Sequence, residues 1–203
     1  GSGSGISAYM ITTARIDGAP LPNIFFMDMR GRSWDGSDGL TIAAEWDGHG
    51  MSATQSHAFR LKDMPATPMA WPGAPIAASP VTNQIGACLF TAVVLSIVEG
   101  AVALATQKLA PKKNEMRAFE RVGWSEIVNE AWTMRQVFSG MIAAVESGDE
   151  GETAALRGKA VAAGLAESCM GKLGRVIGGG AFSRSAPFGQ WAQDVRALGF
   201  LRP

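Results

Sequence analysis

The sequence has little charge, almost no histidine and two cysteines, and each shortage excludes something. Lys plus Arg number 18 and Asp plus Glu number 18, so the 203-residue chain is formally neutral. It lacks the basic excess that is the electrostatic footprint of a nucleic-acid binder. It also lacks the net charge of a disordered acidic or basic tail. Charged residues are 18% of the chain against 47% apolar ones, and a typical domain carries about a quarter. So few charges on a chain of this size predict apolar surface covered by another subunit. Cys88 and Cys169 lie far apart and form no CxxC or other ligand spacing. That excludes a disulfide framework and fits a reducing compartment, read as the cytoplasm.

The two histidines, His49 and His57, sit near Asp47, Ser52 and Ser56. A Ser/His/Asp triad needs three groups converging in space, which sequence order does not supply, and no G-x-S-x-G elbow is present. These residues read as a polar loop between strands. With no clustered cysteine or carboxylate beside the histidines, no metal site is expected.

The opening Gly1-Ser2-Gly3-Ser4-Gly5 reads as a flexible linker or fusion scar, without the basic and apolar regions of a secretory signal. The other end, Trp191 to Pro203, stops without a glycine cap or polar tail. Both ends read as cut, which predicts a piece of a longer chain. Ile85 to Ala105 is apolar apart from Thr91, Ser96 and Glu99, and Lys108, Lys112 and Lys113 follow it. About 20 such residues can cross a bilayer. Glu99 would be costly near the bilayer centre, and alanine and glycine are frequent, so the stretch reads as a central bundle helix and no span is expected.

The chain changes character near residue 80. Tyr9–Ala14, Ile24–Met29, Leu40–Trp46 and His57–Lys62 read as strands, with Asp17-Gly18, Pro20 and Pro22 turning the chain between the first two. A proline-rich stretch follows, and then the period becomes helical, with long helices over about 84–110, 113–147 and 152–177. In the last, Leu156, Val161, Leu165, Cys169, Leu173 and Val176 form a stripe that should face a core. Pro187 opens a short final helix ending near Leu198. The domains are therefore 1–65, a β segment; 66–80, a linker; and 81–203, a helical bundle. The class is α+β.

Gly178-Gly179-Gly180 is not G-x-G-x-x-G and follows a helix, so a Rossmann fingerprint is excluded. One glycine is sufficient for a helix C-cap. Three leave two readings open: a plain cap, or close approach of a ligand or neighbouring chain to bare backbone. The Lys112, Lys113, Arg117, Arg121 run reads as a solvated face. The six tryptophans read as core or interface anchors, and the ten methionines as adaptable packing.

Arg175-Val176-Ile177-Gly178-Gly179-Gly180-Ala181-Phe182, then Pro187 and Asp194-Val195-Arg196, resembles the C-terminal signature of the acyl-CoA dehydrogenase family of flavoproteins. Ala8 to Arg15 and Trp46 to Pro65 are similar to segments of that family's middle β domain. The resemblance implies a partial middle β domain followed by an up-and-down four-helix bundle, assembled as a dimer or tetramer. It implies FAD, with Ser2, Arg175, Gly178 and Gly179 on the cofactor side, and an acyl-CoA or similar small-molecule substrate. The family's catalytic glutamate has no counterpart: the matching position is Arg202, and the alternative falls near Gly86 and Ala87. The flavin-side Arg-x-x-Phe-Gly motif is absent too, with Lys112 nearest. Catalytic residues are therefore unassigned. Three readings follow: an acyl-CoA dehydrogenase-like oxidoreductase, a flavin-dependent monooxygenase on the same fold, and a non-catalytic subunit that pairs with an active partner.

Overall fold

The computed structural model describes residues 2–20, 22–69, 80–148 and 150–201. The chain folds as two units, Gly1–Ala78 and Ser79–Pro203.

In the first unit, β1 (Tyr9–Ala14), β2 (Asn23–Asp28) and β5 (Thr67–Pro68) form an antiparallel sheet in the order β1-β2-β5. β3 (Leu40–Ala44) pairs with β4 (Ala58–Leu61) in a second, two-stranded sheet. Alternation places Met27 and Leu40 in a small core with Met29, packed by Met10, Trp34, Phe59 and Met64. Three readings shift. Thr67 and Pro68, expected in the linker, pair with Phe26 and Phe25 of β2. The remainder of that linker, 70–79, lies outside the described residues. β3 ends two residues before Trp46, because the Trp46 N–H leaves the ladder to donate to His57 Nδ1 at 3.0 Å. β4 accordingly begins at Ala58 rather than His57.

The second unit is the bundle: α1 (Pro80–Leu109), α2 (Ala118–Ser147), α3 (Gly151–Ile177) and the short α4 (Phe188–Arg196). α3 touches each of the other three. Its expected apolar stripe holds only in part. Cys169, Leu173 and Val176 are buried, but Leu156 and Val161 are 40% and 50% exposed. The buried row along the rest of α3 is made instead of Gly151, Ala155, Gly158, Ala162, Ala163 and Ala166. These small residues let the α2 backbone come close. A Cβ on Gly158 would lie 2.3 Å from Met141 Cγ, and one on Gly151 would lie 3.1 Å from the Ala144 carbonyl oxygen. α4 closes the bundle by burying Phe188 and Val195, with the Phe188 and Trp191 rings edge to face at 5.8 Å.

α1 is apolar on most sides, with Glu99 reaching Arg135 of α2. Val94, Val98, Ala101 and Ala105 are fully buried in the bundle, and Thr91 is buried with its hydroxyl donating to the Ala87 carbonyl at 2.7 Å. By length and composition the helix is long and apolar enough to cross a membrane.

Gly158→Leu should force Met141 out of place and destabilise the chain by about 1–3 kcal/mol. Gly171→Ala, where a Cβ meets nothing within 4 Å, should be neutral or stabilise by up to about 1 kcal/mol through helix propensity. Urea unfolding of both variants checks the contrast.

Candidate functional site

Pro111 ends the first helix, since proline has no N–H to continue the ladder. The chain passes through a 3-10 turn at Ala110–Lys112 and a loop, and α2 starts after Arg117. The second helix therefore begins at 118 rather than the expected 113. Arg117 is extended (φ −70°, ψ 160°), and its N–H donates to Glu120 Oε2 at 2.7 Å, which caps the helix. This connection carries Lys112, Lys113, Arg117 and Arg121, with Lys108 one turn earlier. The C-terminus of α3 arrives at the same end of the bundle.

Two adjoining cavities result, sharing Leu109 and Met116. One, of about 570 Å³, has Thr106, Trp124 and Ser125 on its wall with Lys113 and Arg121. The other, of about 480 Å³, is walled by Lys108, Lys112 and Arg117 together with Glu115 and Glu120, and by Val176, Ile177 and Gly180. The basic run is thus exposed, as a solvated face would be, and it also lines both cavities. Arg121 is held by donating from Nε to the Met116 carbonyl at 3.0 Å. Among the described residues, none of Lys108, Lys112, Lys113, Arg117, Arg121 and Arg175 is ion-paired.

Two other cations of the bundle, Lys172 and Arg135, are committed to carboxylates. Lys172 binds Glu130 Oε1 at 2.7 Å and Glu126 Oε2 at 2.9 Å, and Ser168 donates to the same Glu130 oxygen at 2.8 Å. The hydrogen bonds to Glu130 and then Glu126 raise the Lys172 pKa above its ordinary value. Arg135 pairs with Glu99. Burial, then the Glu130 charge, pushes the Cys169 thiol up to about 12, so it is no nucleophile.

Of the site residues expected from the sequence, the structure gathers Arg175, Gly178 and Gly179 at the end of α3. Arg175 is exposed and borders a groove of about 240 Å³ with Phe119, Val122 and Lys172. The three glycines differ physically. Gly178 caps α3 at φ 76°, a conformation that favours glycine. Gly179 and Gly180 have no such φ, and a Cβ on either would meet nothing within 4 Å. Among the described residues, nothing requires glycine at these two positions. The next aromatic, Phe182, is 87% exposed.

Ser2 belongs to the first unit, where its hydroxyl accepts a hydrogen bond from Ser56 Oγ at 3.2 Å. The opening segment is ordered rather than a flexible linker. Gly3 N–H donates to the Thr54 carbonyl at 2.6 Å, and buried Ser4 donates to the Gln55 carbonyl at 2.5 Å while accepting the His57 N–H at 3.2 Å. His57 uses Nδ1 to accept the Trp46 N–H, a backbone role rather than a triad's. Gly86 is half-buried and Ala87 fully buried on α1, and neither supplies a carboxylate. Arg202 lies outside the described residues. Sequence reasoning missed Trp124 as a cavity wall. The signal was its place three residues after Arg121, on the same helical face.

No family model and no curated protein matches the sequence. Solved structures do match along the whole chain. KijD3, in complex with FMN and dTDP-3-amino-2,3,6-trideoxy-4-keto-3-methyl-D-glucose, has a TM-score of 0.78 at 18% identity, covering 100% of this chain and 53% of that one. Nitrososynthase from Micromonospora carbonacea var. africana has 0.74 at 20%, covering 100% and 55%. The dibenzothiophene monooxygenase TdsC from Paenibacillus sp. A11-2 has 0.77 at 17%, covering 100% and 59%. The chain carries part of the acyl-CoA dehydrogenase fold, α+β with a C-terminal helical bundle. It spans little more than half the length of these structures.

Lys172→Met should lower Tm at neutral pH by leaving the Glu130 carboxylate without its cation. Because the folded-state pKa of Lys172 is raised above its ordinary 10.5, the stabilisation it gives is fully present below that value and is lost as pH rises through the folded-state pKa. The Tm gap between variant and parent should therefore close in strong alkali. A gap constant from neutral pH to beyond the lysine range would remove the ion pair as its cause.

Proposed function

We propose that this chain is the greater part of the flavin-bearing half of a flavin-dependent oxidoreductase. The observation that carries the reading is the open backbone of Gly179 and Gly180, which packing among the described residues does not explain, beside cations that form no ion pair among those residues. The residues fit a flavin. The N–H groups of Gly179 and Gly180 can approach a phosphate or ring edge closely. Lys112, Arg117 and Arg175 supply positive charge at that end. Cavities of about 570 and 480 Å³ fall within the size range of small-molecule sites. Either FMN, which the KijD3 complex contains, or FAD, which the family resemblance implies, carries phosphate that these groups would hold.

A flavin supplies hydride acceptance in its oxidised form and electrons for dioxygen in its reduced form. The chain's own residues favour the second use. Proton abstraction from the α-carbon of an acyl thioester needs a carboxylate base. The matched positions are Gly86, Ala87 and Arg202, and Glu99 is bound to Arg135. Oxygenation by the reduced cofactor needs no base at those places, and TdsC is a monooxygenase by name. Monooxygenation of a small organic substrate is therefore the preferred chemistry, with acyl-CoA dehydrogenation second.

The full chain, incubated with FMN or FAD and desalted, should keep flavin absorbance bands. Gly179→Val should raise the flavin Kd about tenfold or more, since its side chain occupies the approach to the backbone, with Tm unchanged. A colourless parent after desalting would overturn flavin binding by this chain alone. Anaerobic bleaching of bound flavin by an acyl-CoA would reverse the preference between the two chemistries.

A further inference from the structure

The larger cavity at the α1–α2 connection differs in charge from the one beside it. Its charged wall residues are Lys113 and Arg121, both cations, around about 570 Å³. The adjoining cavity sets Glu115 and Glu120 among its lysines and arginine. An anion entering the larger one therefore meets two attracting groups and no carboxylate on that wall. None of Lys112, Arg117, Arg175, Gly179 and Gly180 lines it, so the groups that would hold a flavin leave it unused.

The hydrogen bonds on that wall define the ligand further. Arg121 spends Nε on the Met116 carbonyl at 3.0 Å, which fixes the plane of the guanidinium. Its terminal nitrogens have no hydrogen bond or ion pair among the described residues. Two N–H groups on a fixed plane match the two oxygens of a carboxylate, and Lys113 adds a point charge from the loop. Thr106 Oγ1 donates to the Val102 carbonyl at 2.7 Å, and Ser125 Oγ donates to the Arg121 carbonyl at 3.1 Å. Neither hydroxyl hydrogen is left for a ligand. Phosphate favours the bare backbone N–H groups of a glycine run, and Gly180 walls the other cavity.

The rest of the wall, Asn114 aside, is apolar. Trp124 follows Arg121 by three residues and so lies on the same side of α2, and Leu109, Ala110 and Met116 complete the surface. A cavity this large is filled by neither a small carboxylate nor inorganic phosphate, so charge and apolar body belong to one molecule. A rigid planar ring buries its area against indole and thioether at little conformational cost.

We propose that this cavity binds a planar aromatic carboxylate, with the ring against Trp124 and Met116 and the carboxylate on Arg121 and Lys113. The assignment does not depend on the flavin reading, because a different set of side chains carries it.

Calorimetric titration of the full chain with 2-naphthoate should show one site with a Kd below about 1 mM. The neutral isostere 2-naphthamide should bind at least about tenfold more weakly to the same parent protein. Arg121→Gln should weaken 2-naphthoate about tenfold or more, and Arg121→Lys should recover only part of the loss, since it restores charge without the fork. Trp124→Leu should weaken it by a similar factor. Arg121 is exposed, so circular dichroism of its variants should stay at the parental spectrum. Prior addition of FMN should leave the 2-naphthoate affinity unchanged. Absence of binding up to about 10 mM would overturn the proposal. So would equal affinity for the amide, an affinity unmoved by both Arg121→Gln and Trp124→Leu, or displacement of 2-naphthoate by FMN, which would give the cavity to the cofactor.

Discussion

The close approach of α2 and α3 is the constraint on which the bundle depends. Met141 lies where a side chain on residue 158 would stand, and the Ala144 carbonyl lies against Gly151. This contact is possible because α3 is thin on its inner side, with alanine or glycine at every buried position from 151 to 166. A thin central helix also lets α1 and α4 reach it, so one element organises the other three. Burial per residue is modest along this row, and stabilisation comes from backbone proximity and the dispersion contacts it allows. Larger residues return at Cys169, Met170, Leu173 and Val176, where α3 approaches the site end.

That geometry fixes where the chemistry can be. Helices tied together along their length must end together, so the glycine run after α3 is delivered to the connection between α1 and α2. Charge on the bundle is committed at two places. Along α2 and α3, Lys172 is held by two carboxylates, and across α1 and α2 Arg135 is held by Glu99. At the end, six cations stand without an ion pair among the described residues. Cations committed to carboxylates secure helix packing, whereas uncommitted ones at a cavity rim are available to an anion.

The sequence reveals elements more readily than faces. Strands and helices follow from periodicity, and the glycine run at 178–180 is visible as a helix end. The inward face of α3 was not legible, because Leu156 and Val161 are the more apolar residues and yet lie outside. Hydrophobicity ranks transfer from water, while close helix packing selects for small size, and at Gly158 and Ala162 size prevailed. The start of α2 was missed because Pro111 and the cap at Glu120 act through backbone hydrogen bonds, which a hydrophobic period does not register. Ser4 was hidden by composition. Gly-Ser repeats usually stay unfolded, but here backbone and hydroxyl bonds to the 54–57 loop order them. At the candidate site, Arg175, Gly178 and Gly179 were visible through family resemblance. Trp124 and the two cavities were not, because they arise where segments distant in sequence meet.

A residue type that the fold needs can be told from one that it does not. Gly178 is needed, since its φ of 76° favours glycine. Gly151 and Gly158 are needed, since a Cβ there meets the neighbouring helix. Gly179 and Gly180 face open space with no positive φ, and so do Gly100, Gly140, Gly164, Gly171, Gly174 and Gly189. Open space alone therefore marks no site, and the neighbours must decide. Gly179 and Gly180 follow directly on the end of α3, and Gly180 walls the cavity that Lys108, Lys112 and Arg117 share with Glu115 and Glu120. The bare backbone there lies beside charge, which is what separates these two positions from the other open glycines.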